Sequence, residues 1–442
     1  MDKRFFFPQP DDEIVIASRA EGVYIFDENG NKYLDGSSGA MTVGLGHGNI
    51  EIIDAIKEQL DEISFTYRSQ FSNLPLEELC SAIAGIAPEN LDYVSLANSG
   101  SEAAELAMKM AYSYWTARGK PTKQRIISRW SSYHGSTIGA LSMSGNAARR
   151  TEYSPYLSDF PILELPFCHH CPFEKEPKSC NLFCANYLQT LINRIGSENI
   201  SALICEPVTG ASGAGITPPQ DYFPRISEIC NKNDILLIMD EVITGFGRTG
   251  RYFASEHWNI EPDIIIFGKG ITGGYFPLSG IITSIDIYNT VDKGDSKFST
   301  GHTYSGNPLA CACGKATIKY LKTHDIVGKV FSKGALIEEK LTELMNRQQL
   351  ISDIRGKGLL WGVEFMKSRT NKEFFDARSG FTGKIVRECF ENGLIVYPST
   401  GFVDGISGDS ILLSPPLTIT ESEIKTLMDL LEKSIERVAK NI

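Results

Sequence analysis

The sequence predicts an α/β protein: a mostly parallel central sheet covered by helices, with a smaller α+β domain beside it. Three observations carry this. From Tyr93 onward, short apolar runs alternate with helix-length segments: YVSLANSG, SEAAELAMKMAYSYW, RIISR, and later ALICEPV, ILLIMDEV, IIIFGKG and SGIITS. That alternation belongs to a parallel sheet with helices on its faces. Two runs, Ile235–Met239 and Ile264–Phe267, are continuously apolar and rich in β-branched residues, as strands buried on both faces are. After a long helical tract with Ile318, Leu321, Ile326 and Val330, the chain changes character. IRGKGLLWGVEF, GLIVYPS and SILLSPPLTIT read as strands, closed by an amphipathic helix over Glu421–Val438.

The N-terminal region joins this smaller domain. EGVYIFDENGNKYLDGSSG places two short strands around the turn Glu28-Asn29-Gly30, a strong hairpin signal. HGNIEIIDAIKEQLDEI then has helical spacing, with Ile52, Ile53, Ile56 and Leu60 on one face, and Leu74–Ile86 reads as a further helix. The expected division is a large domain over 61–330 and a small domain assembled from 1–60 and 331–442. A chain of 442 residues is long enough for two or three domains with real cores.

Composition excludes several classes of partner. A net charge of −11 argues against nucleic acid and anionic membrane, and no apolar run approaches the roughly 18 residues of a membrane span. MDKRFFFPQPDDE is too short and too acidic for a signal peptide, so a cytoplasmic protein is expected. Its ten cysteines are then read as thiols, not as a disulfide framework. Four of them, Cys168, Cys171, Cys180 and Cys184, cluster around His169 and His170. This spacing suits either a small metal knuckle or a loop of reduced thiols, and the expectation is thiols without a metal.

The chemistry centres on Lys269, between two glycines at the mouth of the second buried run. Burial lowers a lysine pKa and makes its amine a nucleophile able to form a Schiff base. Asp240, at the end of the other buried run, supplies the fixed negative charge that a pyridinium nitrogen needs. A buried Lys–Asp pair without a cofactor is the competing reading. Asn98-Ser99-Gly100-Ser101 opens a helix, where exposed N–H groups form an anion site, or where Ser99 or Ser101 is an ordinary N-cap. Tyr133 can stack on a flat ring or pack in the core. Glu206 ends another buried strand and faces either the site or water.

Five motifs stand in order: NSGSEA at Asn98–Ala103, YHG at Tyr133–Gly135, DEVITGFGRTG from Asp240, the isolated Lys269, and GHTYSGNP at Gly301–Pro308. Together, over about residues 10–435, they resemble the class III aminotransferases, pyridoxal-phosphate enzymes of fold type I. The resemblance implies that Lys269 and Asp240 are catalytic and that pyridoxal 5'-phosphate is the cofactor. It places Ser99, Gly100 and Ser101 at the phosphate, Tyr133, His134 and Val242 at the ring, and Glu206 close to cofactor and substrate. Thr303 is implied to reach the phosphate of the neighbouring subunit in a homodimer with shared active sites. A ping-pong transfer between a small-molecule amino donor and a 2-oxo acid follows. An epimerase, aminomutase or decarboxylase on the same fold, or a non-catalytic cofactor-binding protein, are the rival readings.

Two departures bear on substrate. Ile243 stands where the 4-aminobutyrate and ornithine subgroup has glutamine, so DEVITGFGRTG is most similar to the ω-amino acid and amine:pyruvate subgroup. Between Arg387 and Arg437 there is no arginine at all, although many relatives grip the substrate carboxylate from that stretch. Arg68 is then the candidate for the carboxylate, and Met41, where related enzymes often carry a bulky aromatic, implies a wider pocket for amines, β-amino acids or a β-amino acyl thioester. Arg248 and Arg251 read as solvated helix faces or interface pairs with no chemistry, and Arg355 as structural.

Overall fold

Fifteen strands organise the described part of the chain, which in this computed structural model covers residues 15–294 and 298–441. The MDKRFFFPQPDDE segment lies outside it. At the N-terminus, β1 (Ala17–Glu21), β2 (Tyr24–Asp27) and β3 (Lys32–Asp35) form an antiparallel sheet. The turn between β2 and β3 is held by Asp27, whose Oδ1 accepts the Asn29 and Asn31 N–H groups at 2.9 and 2.8 Å. The central strands are β4 (Leu91–Ala97), β5 (Arg125–Arg129), β6 (Ile162–Leu163), β7 (Ile200–Cys205), β8 (Leu236–Asp240), β9 (Ile264–Phe267) and β10 (Ser279–Ser284). Their order is β4-β10-β9-β8-β7-β5-β6. β10 runs antiparallel to both neighbours and every other neighbouring pair is parallel.

Strand alternation divides the core into two layers. Leu236, Ile238, Ile264 and Ile266 pack toward one face with Ala103, Ala104, Ala107 and Ala111 of the helix Gly100–Ala117. Its small residues let that helix lie close on the sheet. Leu237, Met239, Ile265 and Phe267 point the other way, into the core that includes the helices Phe183–Ile195 and Tyr222–Lys232. Coverage on both faces is why these runs carry no polar alternation.

The C-terminal region adds β11 (Ile351–Lys357), β12 (Leu360–Phe365), β13 (Leu394–Ile395), β14 (Tyr397–Thr400) and β15 (Asp409–Leu413). Four make an antiparallel sheet in the order β11-β12-β15-β14, and β13 instead joins β3 in parallel, pairing Leu394 with Leu34. The N-terminal sheet is thus completed by the end of the chain.

Two expectations change in detail. The tract after Gly306 is two helices, Pro308–Thr323 and Ile326–Arg347, broken at Asp325 with φ 46°. The expected boundary at 330 falls inside the second. In the helix Ile50–Glu62, Leu60 is 57% exposed while Gln59 is 6% exposed. At 100° per residue Gln59 lies closer than Leu60 to the Ile52–Ile56 stripe, and the Gln59 amide donates to the Ile63 carbonyl at 3.0 Å. Among the described residues, no helix is long and apolar enough to cross a membrane.

Candidate active site

A cavity of about 180 Å³ opens where the carboxyl ends of the parallel strands meet, and its lining includes Gly100, Ser101, Tyr133, His134, Glu206, Asp240, Val242 and Lys269. Open α/β sheets bind ligands at this edge, because the loops that leave the strands diverge there. All eight residues come from segments that follow β4, β5, β7, β8 and β9 or end them.

Lys269 follows β9 in a turn entered through Gly268. Its φ of 42° is left-handed, an unfavourable region for a side-chain-bearing residue that functional sites tolerate. Burial pushes its pKa down to about 8; Asp240 and Glu206 oppose the shift, and Arg248 and Arg149 add to it. At pH 7 roughly a tenth of such an amine is neutral and nucleophilic.

Asp240 ends β8, directly beside β9, and is 4% exposed. Its Oδ2 lies 2.7 Å from His134 Nδ1, and its Oδ1 accepts the Val242 N–H at 3.1 Å. The carboxylate acceptor sets the imidazole proton on Nδ1, and the ring holds Asp240 in one orientation. His134 is fixed in turn by its own N–H, which donates to Ser144 Oγ at 2.8 Å. Glu206, one residue past β7, is buried, and its Oε1 accepts the Gly210 N–H at 3.1 Å. Burial raises its pKa, with Asp240 adding to the rise. It faces the cavity and not water.

At the helix Gly100–Ala117, Ser99 is the N-cap: its side chain accepts the Glu102 N–H at 3.2 Å. Ser99 therefore does not line the cavity, and the N–H groups of Gly100 and Ser101 are left with no acceptor among the described residues. Ser101 Oγ accepts the Ser136 N–H at 3.0 Å. Gly135 crosses this helix so closely, at φ +138°, that a Cβ there would sit 2.5 Å from Ser101 Oγ. Free helix-start N–H groups suit an anion. A buried aspartate suits a ring nitrogen, and a depressed lysine suits an aldehyde. This donor set fits pyridoxal phosphate.

Three expected residues lie elsewhere. Met41 is 2% exposed and packs in the core, outside the cavity lining. Thr303 is exposed on the loop after Gly301, away from its own chain's cavity. Arg68 is exposed, donates to the Thr300 carbonyl at 3.1 Å and lies flush against Gly301. It supports the Thr303 loop and does not enter the pocket of its own chain. Arg248 is buried, not solvated: it donates to the Leu359 and Pro415 carbonyls at 3.0 and 2.6 Å, tying the lysine-bearing region to the C-terminal sheet. Arg355 pairs with Glu364 at 2.5 Å and Asp353 at 2.9 Å.

Residues that sequence reasoning passed over also line the cavity, among them Val208 and Thr244. Arg149 sits over the Tyr133 ring at 4.6 Å; nothing in the sequence separates it from its neighbour Arg150. All ten cysteines are free. Among the described residues, His169, His170 and Glu364 are the only group of three or more metal-type ligands, and Glu364 is already engaged by Arg355 and His170.

Comparison with known proteins identifies the family. Residues 6–435 match the family Aminotransferase class-III. The chain is similar to the uncharacterized aminotransferase YodT of Bacillus subtilis, 41% identical over 97% of this chain and 96% of that protein. It is also similar to the putrescine–pyruvate aminotransferase of Pseudomonas aeruginosa, 36% identical over 96% and 91%. Among solved structures, an amine transaminase from an uncultivated Pseudomonas species, in its pyridoxal-phosphate-bound form, superposes with a TM-score of 0.93 at 33% identity, covering 99% of each chain. The chain belongs to the class III aminotransferases, enzymes that depend on pyridoxal phosphate.

Proposed function

We propose that this enzyme transfers an amino group from an amine, an ω- or β-amino acid or a β-amino acyl derivative to pyruvate or 2-oxoglutarate, by a ping-pong mechanism at one site. The observation that carries the reading is the shared cavity of Lys269, Asp240 and the free N–H groups of Gly100 and Ser101. Pyridoxal phosphate, when bound, supplies an aldehyde carbon for amines and an electron-accepting ring. Gly100 and Ser101 anchor the phosphate through backbone N–H groups, and Asp240, oriented by His134, keeps the ring nitrogen protonated. Tyr133 and Val242 confine the ring. Lys269 Nζ holds the cofactor at rest and is the base for the proton on the donor's Cα, which a pKa close to neutral suits.

A homodimer with shared sites is part of the proposal. Ile50, Leu60, Ile63, Phe65, Phe71 and Leu74 are each at least 40% exposed, a concentration of apolar surface that favours a partner. Phe65 meets Tyr304 edge-on at 5.7 Å, which links this surface to the loop of Thr303. That loop, braced by Arg68 through the Thr300 carbonyl, would then bring Thr303 to the partner's site. The free thiols support a reducing, cytoplasmic setting. We take 61–330 as the cofactor domain and 1–60 with 331–442 as the small domain; the β3–β13 pairing supports joining those ends.

The test is a panel of donors with pyruvate or 2-oxoglutarate, assayed for alanine or glutamate and for the carbonyl product. Alanine or glutamate formed in step with the aldehyde or ketone is expected. Racemisation or carbon dioxide release with neither amino acid formed would overturn the proposal.

A further inference from the structure

The acceptor in this reading is a carboxylate, yet the lining of the cavity holds two buried carboxylates, Asp240 and Glu206, and no arginine. Some cation has to meet the incoming acid at the rim. The stretch between Arg387 and Arg437 has no arginine, and its two lysines, Lys425 and Lys433, lie on the closing helix Glu421–Ala439. Its loop presents Asp404 instead, whose carboxylate accepts the Ile406 and Ser407 N–H groups at 2.9 and 2.6 Å. Arg68 is taken up by the Thr300 carbonyl. Arg150 is equally committed, giving Nη1 to the Leu141, Ser142 and Ser144 carbonyls.

Arg149 differs from all of these. It is exposed, its guanidinium lies 4.6 Å from the centre of the Tyr133 ring, and among the described residues its side chain makes no hydrogen bond or ion pair. Contact with a ring face uses none of the guanidinium's N–H groups, so the fork stays free for a bidentate partner. The short helix that carries it, Ala147–Arg150, is set in place by Asn146. The Asn146 Oδ1 caps the Arg149 N–H at 3.2 Å, and its Nδ2 donates to Ser212 Oγ at 3.1 Å. Ala147 and Ala148 of the same helix line a second cavity, of about 380 Å³. Arg149 therefore stands beside the ring of Tyr133, on an element that also borders open space.

Resting on the transaminase reading, we propose that Arg149 is the specificity-determining residue that binds the carboxylate of the 2-oxo acid acceptor, in place of the arginine missing from the C-terminal stretch. The Tyr133 ring that Arg149 covers lines the same cavity as Lys269, which links the guanidinium to the reacting amine. Neutral amines have no use for this cation. Being exposed and, among the described residues, without a hydrogen-bond or ion-pair partner, Arg149 gives way to them without leaving a buried group unpaired. One site thereby accepts a neutral donor in one half-reaction and a charged acid in the other.

The test uses the full chain loaded with pyridoxal phosphate, as wild type, Arg149→Gln and Arg149→Lys. With a neutral amine as donor, KM is measured for pyruvate and for butanal, a neutral acceptor. Binding of propanoate, an unreactive carboxylate, is measured by calorimetry. Arg149→Gln is expected to raise the pyruvate KM and the propanoate Kd about ten- to a hundredfold, the loss of a charge-assisted bond. Its KM and kcat for butanal should stay within about threefold, and Arg149→Lys should fall between. Equal changes for both acceptors, or none for either, would overturn the proposal. If the wild type makes neither alanine from pyruvate nor glutamate from 2-oxoglutarate with any donor, the transaminase reading fails. The propanoate measurement still decides the role of Arg149: weaker binding in Arg149→Gln upholds it, and unchanged binding ends it.

Discussion

In the cofactor-free protein, Lys269 should be a cost to folding, and replacing it should stabilise the chain. Its pKa falls from 10.5 to about 8, chiefly through burial. At about 1.4 kcal/mol per pH unit this is worth roughly 3 kcal/mol. The side chain borders an open cavity, and solvent there reduces the figure to about 1.5–3 kcal/mol. Below pH 8 the folded and unfolded chains both carry the proton, so the fold bears the whole cost. Between pH 8 and 10.5 only the unfolded chain holds the proton, so stability rises with pH. Lys269→Met should therefore raise the unfolding free energy at pH 7 by that amount, and its advantage should fade toward pH 10. Urea titrations of stripped wild type and variant at pH 7 and 9.5, at one protein concentration, read the difference directly. Equal stabilities at pH 7, or a gap that ignores pH, would refute the reasoning.

Two further substitutions probe the cofactor's contacts. Asp240→Asn keeps the shape but removes the charge that His134 orients; turnover should fall about 100-fold or more, roughly 3 kcal/mol of barrier. An unchanged rate and absorption spectrum would separate Asp240 from the ring nitrogen. Gly135→Ala puts a Cβ 2.5 Å from Ser101 Oγ at a φ of +138°. The distortion should weaken pyridoxal phosphate binding at least tenfold and cost about 1–3 kcal/mol of stability; a fluorescence titration giving wild-type affinity would show that this crossing does not shape the phosphate site.

Much of the fold was legible because burial on both faces writes itself as unbroken apolar runs, as in β8 and β9. The convergence of Lys269, Asp240, Glu206, Tyr133, His134, Gly100, Ser101 and Val242 on one cavity was legible through motif order. Their roles remain proposals that the substitutions above address. What the sequence hid were choices between chemically identical neighbours. Ser99 and Ser101 differ only in which one caps the helix, and Arg149 and Arg150 only in which one the backbone carbonyls claim. Arg248 looked solvated because a charged residue in a glycine-rich loop shows no periodicity, although three separate segments close over it. Thr303 and Arg68 sit on a loop whose purpose a single chain does not reveal.

The central claim is that the amine of Lys269 holds the cofactor, and chemical trapping tests it most directly. The chain loaded with pyridoxal phosphate is reduced with sodium borohydride and digested, and the lysine bearing the pyridoxyl group is located by mass spectrometry. The predicted result is a single modified peptide carrying the label on Lys269. A label on another lysine with Lys269 untouched, or no label on a protein that retains its cofactor, would show the claim to be wrong.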